Sequence, residues 1–115
     1  MPNHRSTVDD LFHALGDPAR RSMVERLSRG PAPVSELAQP LSMALPSVLQ
    51  HLGVLEAAGL VRSRKVGRVR TFAIQPDVFG MAEQWIAARR LEWERRFDRL
   101  GHYLETLESQ GDDDE

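Results

Sequence analysis

The chain has 115 residues, enough for one small domain and too few for two. Its apolar and charged fractions, 41% and 28%, are ordinary for a globular protein, and the absence of cysteine excludes disulfides, thiolate metal sites and thiol redox switches. The net charge of −2 hides a local excess of cations: set aside the four acids of Asp112-Asp-Asp-Glu115 and 15 basic residues face 13 acidic ones.

No apolar run approaches the roughly 20 residues of a membrane span, and Met1–Asp10 shows no signal-like apolar segment. With the lack of cysteine, this leads us to expect a cytoplasmic protein without membrane partners. We expect one domain over 1–110 and a disordered acidic tail over 111–115.

Val8, Leu11, Phe12 and Leu15 recur at i, i+3, i+4 and i+7, one face of a first helix ended by Gly16. Asp17-Pro18 restarts the chain with an acidic N-cap and proline in the first turn. Met23, Val24 and Leu27 give the second helix its apolar side, and Gly30 closes it. Pro31-Ala-Pro33 reads as a stiff connector. A third helix runs from about Val34 to Gln39, stopped by Pro40.

After the turn Leu41–Ala44, a fourth helix starts near Leu45 or Pro46 without a good N-cap. Val48, Leu52 and Leu55 face the core, whereas Ser47, Gln50, His51 and Gly53 face outward. Gly59 supplies a left-handed stop. Leu60–Lys65 and Val69–Ile74 read as two strands joined at Val66-Gly67. From Leu60 to Ile74 there are five basic residues (Arg62, Arg64, Lys65, Arg68, Arg70) and no acidic one. From Asp77 to about Glu108 the pattern is one long helix, or two with a break near Arg89. Trp93, Phe97, Leu100, Leu104 and Leu107, at spacings of 4, 3, 4 and 3, form a heptad-like seam.

A short helix, a tight turn and a second helix followed by a basic hairpin is the pattern of a winged helix-turn-helix meeting DNA. The second helix fits the major groove and the hairpin reaches the neighbouring backbone. The fold class is therefore mainly α with a small β-hairpin wing. The interface is expected to comprise Ser35, Leu45, Pro46, Ser47, Leu49, Gln50, His51, Arg64, Lys65, Arg68 and Arg70. Gln50 has the geometry for a bidentate contact to adenine; Leu45 and Leu49 are limited to thymine methyls. For His51 two roles stand side by side, a DNA contact and a semi-buried residue packing the helix pair.

Asp17-Pro-Ala-Arg-Arg21, Ser35-Glu-Leu-Ala38, Gln50-His-Leu-x-Val-Leu-Glu-x-Ala-Gly-Leu-Val61, Gly67-Arg68 and the Trp93-x₃-Phe97-x₂-Leu100 pattern together resemble the ArsR (arsenical-resistance-repressor) family over residues 8 to 108. The resemblance implies a bacterial homodimeric repressor that binds an inverted repeat and lets go when an inducer binds. It also implies dimerisation through the first and last helices, placing Val8, Leu11, Phe12, Leu15, Trp93, Phe97, Leu100, Leu104 and Leu107 at the interface.

Metal-sensing members carry cysteines where this chain has Val34-Ser-Glu-Leu37. Others carry Asp-x-His and His-x-x-Glu on the last helix. Here only His102-Tyr-Leu-Glu105 matches, because Arg89-Arg-Leu91 cannot ligate a divalent cation. The expectation is no metal and no cofactor, with an unidentified small molecule as inducer. Scattered His4, His13, His51 and His102, without a glycine-rich phosphate loop, argue against an enzyme. The alternative is a winged-helix protein–protein module without DNA binding. It would suit Leu45 and Leu49 but leaves the cationic hairpin unexplained.

Overall fold

The computed structural model describes the backbone of residues 4–113 and the side chains of 7–111. Met1–Asn3, and Asp114 and Glu115 of the expected tail, lie outside the described residues. The element order is α1 (His4–Leu15), α2 (Pro18–Leu27), β1 (Ala32–Pro33), α3 (Val34–Ala38), α4 (Leu45–Ala57), β2 (Val61–Val66), β3 (Val69–Ile74) and α5 (Pro76–Asp113). Contacts divide the chain into two compact units at Ala82/Glu83.

The first unit holds the core. Leu11 and Ala14 of α1, Met23 and Leu27 of α2, Leu37 of α3, and Val48, Leu52 and Leu55 of α4 are all buried. Ala32, Leu60, Val61, Phe72 and Ala82 join them. Val48, Leu52 and Leu55 are at most 1% exposed, so the 4, 3 spacing read from the sequence is the buried stripe of α4. Truncating any of them to alanine should cost about 2–5 kcal/mol. Among the described residues no polar side chain is buried.

Local chemistry explains the helix boundaries. Asp17 caps α2: its Oδ1 accepts from the amides of Ala19 (2.8 Å) and Arg20 (3.2 Å), with Pro18 at the first helical position. At the far end the Ser28 hydroxyl donates to the Val24 carbonyl at 2.8 Å. The first residue before α4, Ala44, is extended and makes no side-chain cap, as its methyl group requires. Pro46 removes one of the amide donors a cap would otherwise meet. Gly59, at φ +79°, turns the chain out of α4.

The sheet is antiparallel with order β1-β3-β2. Pro31-Ala-Pro33 was expected to be only a connector. Ala32 and Pro33 instead pair with Phe72 and Thr71 and add a third strand. Two prolines masked it, since proline is tolerated in strands only at an edge, where the missing N–H goes unnoticed. The hairpin forms where expected but its first strand and turn lie one residue later: β2 runs Val61–Val66, and Val66 pairs with Val69 across the two-residue turn Gly67-Arg68 instead of turning at Val66-Gly67. Gly67 has φ +64° and Arg68 a negative φ, the signature of a type II′ turn.

The second unit, within its described residues 83–113, is helix throughout as the continuation of α5. There is no break near Arg89. The helix reaches Asp113, three residues into the segment expected to be a tail. Arg89 pairs with Glu92 (3.4 Å) and Arg90 with Glu94 (3.7 Å), ordinary i,i+3 and i,i+4 surface pairs.

Candidate nucleic-acid interface

Opposite the buried stripe of α4 lies its outer face. Gln50 falls between Val48 and Leu52 in sequence, which turns it about 200° from each on a helix, and it is exposed, as are Pro46, Ser47 and Gly53. Leu45 and Leu49 are 54% and 45% exposed. Such exposure on a short helix leaves two apolar side chains available to thymine methyls. Ser35 sits on the outer side of α3, at an open groove of about 440 Å³ shared with Glu36, Ala38 and Gln39. An ion pair of 2.6 Å between Arg26 and Glu36 ties α2 to α3, and Arg26 also donates to the Gly30 carbonyl.

The wing is exposed and cationic. Directly opposed residues in an antiparallel pair share a face. Lys65 lies opposite Arg70, and Ser63 opposite Phe72, so Lys65 and Arg70 occupy the sheet face that buries Phe72. Arg70 Nη1 donates to the Ser63 hydroxyl (2.9 Å), and that hydroxyl donates to Glu56 Oε1 on α4 (3.3 Å). This chain of bonds fastens the wing to the recognition helix. The other face carries Arg62 and Arg64, and Arg68 stands at the turn. Two cations directly opposite each other destabilise a hairpin unless an anion joins them.

His51 is half-buried on the flank of α4, and its Nδ1 lies 3.1 Å from Arg20 Nη1. No local pattern marks this contact, which spans 31 residues. Arg20 also donates through Nε to the Ala14 carbonyl (2.6 Å) and through Nη2 to the His13 carbonyl (3.2 Å); Arg21 donates to the Leu15 carbonyl (2.8 Å). The two arginines thereby satisfy the last carbonyls of α1, where cations are favoured.

The residues expected at a dimer interface divide. Leu11 is 1% exposed inside the protomer's own core and is removed from the surface set; Val8, at 9%, is nearly as covered. A helix face that reads as one stripe serves the core along its centre and leaves only its margin outside. Phe12 is 41% exposed and Leu15 is half-buried. On α5, Trp93, Phe97, Leu100, Leu104 and Leu107 are 45–59% exposed. Trp93 and Phe97 stack edge-to-face with centroids 5.0 Å apart.

Among the described residues no three His, Asp or Glu side chains gather as a metal ligand set. His102 is exposed, and the Thr106 hydroxyl bonds its backbone carbonyl at 3.0 Å.

The helix pair and basic hairpin find counterparts among known proteins. A family model described as a helix-turn-helix domain matches residues 15–64. The HTH-type transcriptional regulator Rv2034 of Mycobacterium tuberculosis is 40% identical over 98% of this chain and 99% of its own. A crystallised ArsR family transcriptional regulator, RHA00566, superposes with a TM-score of 0.76 at 48% identity, covering 82% of this chain and 97% of that one. The chain belongs to the ArsR family. It is a winged helix-turn-helix transcriptional regulator that binds DNA, and its family is one of regulators and not of enzymes. A further relative in structure is the homodimeric winged helix-turn-helix domain of Mb0332 from Mycobacterium bovis, a possible ArsR-family regulator. It matches at 26% identity and TM-score 0.59, over 75% of this chain and 82% of that one.

Proposed function

We propose that this ArsR-family chain acts as a homodimeric repressor, each protomer reading one half of an inverted-repeat operator. The observation that carries the reading is the cation pair Lys65 and Arg70, opposed on the wing and bonded through Ser63 to Glu56 of α4. A phosphate beside the recognition helix would relieve that opposition, and the same contact would set the depth of α4 in the major groove. Gln50 and Ser47 then read base edges, Leu45 and Leu49 contact thymine methyls, and Pro46 and Ser35 border the groove. Arg64 and Arg68 meet flanking phosphates.

The exposed apolar seam of α5 supports the second copy, with Phe12 and Leu15 contributing from α1. A two-fold axis sets the two recognition helices about 34 Å apart, one turn of DNA, which requires an inverted repeat. Occupancy of a promoter by such a dimer blocks transcription, and an unidentified small molecule would release it. A repressor of this kind works in the bacterial cytoplasm. Consistent with that, no helix among the described residues is long and apolar enough to cross a membrane.

The test is selection of duplexes from a random pool by the full-length protein, with light scattering of the complex. Recovery of a palindromic consensus bound by a dimer supports the reading. Retention of duplexes without any consensus, or binding as a monomer, defeats it.

A further inference from the structure

Arg20 is absent from the expected DNA-binding set, yet its side chain bridges the end of α1 and His51 of α4. Its guanidinium spends Nε on the Ala14 carbonyl and Nη2 on the His13 carbonyl, which fixes its plane, and Nη1 lies 3.1 Å from His51 Nδ1. Asp17 lies near enough to both that they lower its carboxyl pKa. Arginine has donors and no acceptor. The bond therefore exists only if His51 Nδ1 offers its lone pair, which puts the ring proton on Nε2, on the side of the imidazole away from Arg20. His51 is half-exposed and sits on the flank of α4, about 100° around the helix from outward-facing Gln50.

Phosphate oxygens only accept hydrogen bonds. A neutral imidazole meets one productively if its exposed nitrogen carries the proton, and unfavourably if that nitrogen carries a lone pair. We propose that Arg20 is a positioning residue for DNA binding: it locks His51 in the Nε2–H tautomer so that α4 presents a donor to the phosphate backbone. Arg20 acts through His51 and does not itself touch DNA. The assignment rests on the DNA-binding reading above, but its first half concerns the free protein alone.

The first measurement is a long-range proton–nitrogen correlation spectrum of the ¹⁵N-labelled full-length protein. His51 should show Nδ1 unprotonated and Nε2 protonated, and R20M should convert it to a mixture of tautomers. A wild-type ring protonated at Nδ1 overturns the proposal, whether or not the protein binds any DNA.

The second measurement is titration of a random-sequence duplex at several salt concentrations. H51A should weaken binding about tenfold, on the scale of one lost contact in each half of the dimer. H51Q, whose amide nitrogen overlays Nε2, should restore most of it. R20M should weaken binding as H51A does, with the salt slope unchanged, because a neutral donor releases no counterion. R20M in the H51Q background should cost under about threefold.

A slope reduced by about 2 in R20M would place Arg20 itself on phosphate and overturn the positioning role. Additive losses for R20M and H51A would do the same. Should R20M fail to fold, the comparison of H51A with H51Q and the wild-type spectrum decide the matter, since neither depends on replacing Arg20.

Discussion

Gly59 lies against Val78: a Cβ built on Gly59 would come within 2.9 Å of Val78 Cγ2, and Gly59 holds φ +79°. The exit from the recognition helix is thus pressed against the first turn of α5, leaving no room for any side chain. Gly59→Ala should lose about 2–4 kcal/mol, combining a left-handed alanine with a contact against a stiff β-branched side chain. Gly59→Ala in a Val78→Ala background should lose less than the sum of the two, because the clash is gone while the backbone strain stays. Urea denaturation of the four proteins checks the coupling, and strict additivity would show the contact to be yielding.

Asp17 predicts an acid dependence. Partial burial pushes its carboxyl up, but the amides of Arg20 and Ala19, with the charges of His51 and Arg20, together hold it below the ordinary 3.8. A depressed carboxylate contributes stability that is fully present above its unfolded pKa and is lost as pH falls through the folded one. Asp17→Asn keeps the capping acceptor but carries no charge, so it should be less stable than the wild type near neutrality, show a flatter acid limb, and converge with the wild type as Asp17 takes up its proton. Asp17→Ala should be less stable at neutrality as well. Thermal midpoints from neutral pH to about pH 3 make the comparison; identical acid limbs would detach the cap from titration.

Base reading should fall on Gln50. Gln50→Ala should weaken a selected operator by about 1–3 kcal/mol and relax preference at one position in each half-site, leaving random duplex unaffected. Competition binding against single-base operator variants is the measurement. Equal loss on operator and random DNA would make Gln50 a backbone contact.

Arg68, at the turn beside Gly67, should act on all sequences alike. Arg68→Ala in both protomers should reduce the magnitude of the salt slope by about 2, with base preference unchanged. An unaltered slope strikes it from the phosphate contacts.

Phe97→Glu should put a charge into the seam of α5 and convert dimers to monomers, lowering operator affinity steeply while α4 and the wing stay folded. Light scattering alongside a mobility shift separates the effects. A variant that remains dimeric would assign the seam to something other than self-association.

Most of this architecture could be read from the chain because its signals are local. The buried spacing of Val48, Leu52 and Leu55, the Asp17-Pro18 cap, the Gly59 stop and the Gly67 turn each depend on a few adjacent residues. What escaped was long-range or doubly determined. β1 is two residues long and flanked by proline, so strand periodicity has no length in which to appear. Leu11 and Phe12 share one helical face, and only the packing of α2 and α4 shows which is core and which is margin. The contact of Arg20 with His51 spans 31 residues and has no sequence pattern at all. The Asp17-Pro-Ala-Arg-Arg21 motif marked Arg20 as notable without saying what it touches.

The sheet has two outer edges, and each is closed to strand addition. Ala32 pairs with Phe72 and Pro33 with Thr71. Pro33 has no amide to give β3, so the inward ladder bonds fall to Ala32 and the missing donor of Pro33 faces away from the sheet. At the opposite edge, β2 alternates Arg62, Ser63, Arg64 and Lys65, a row of cations that repels its own copy. A partially unfolded chain therefore finds no template on its folded neighbours. The arginines of β2 would then also serve as gatekeepers against aggregation, so neutralising several of them at once should reduce the yield of soluble protein even where no operator is present.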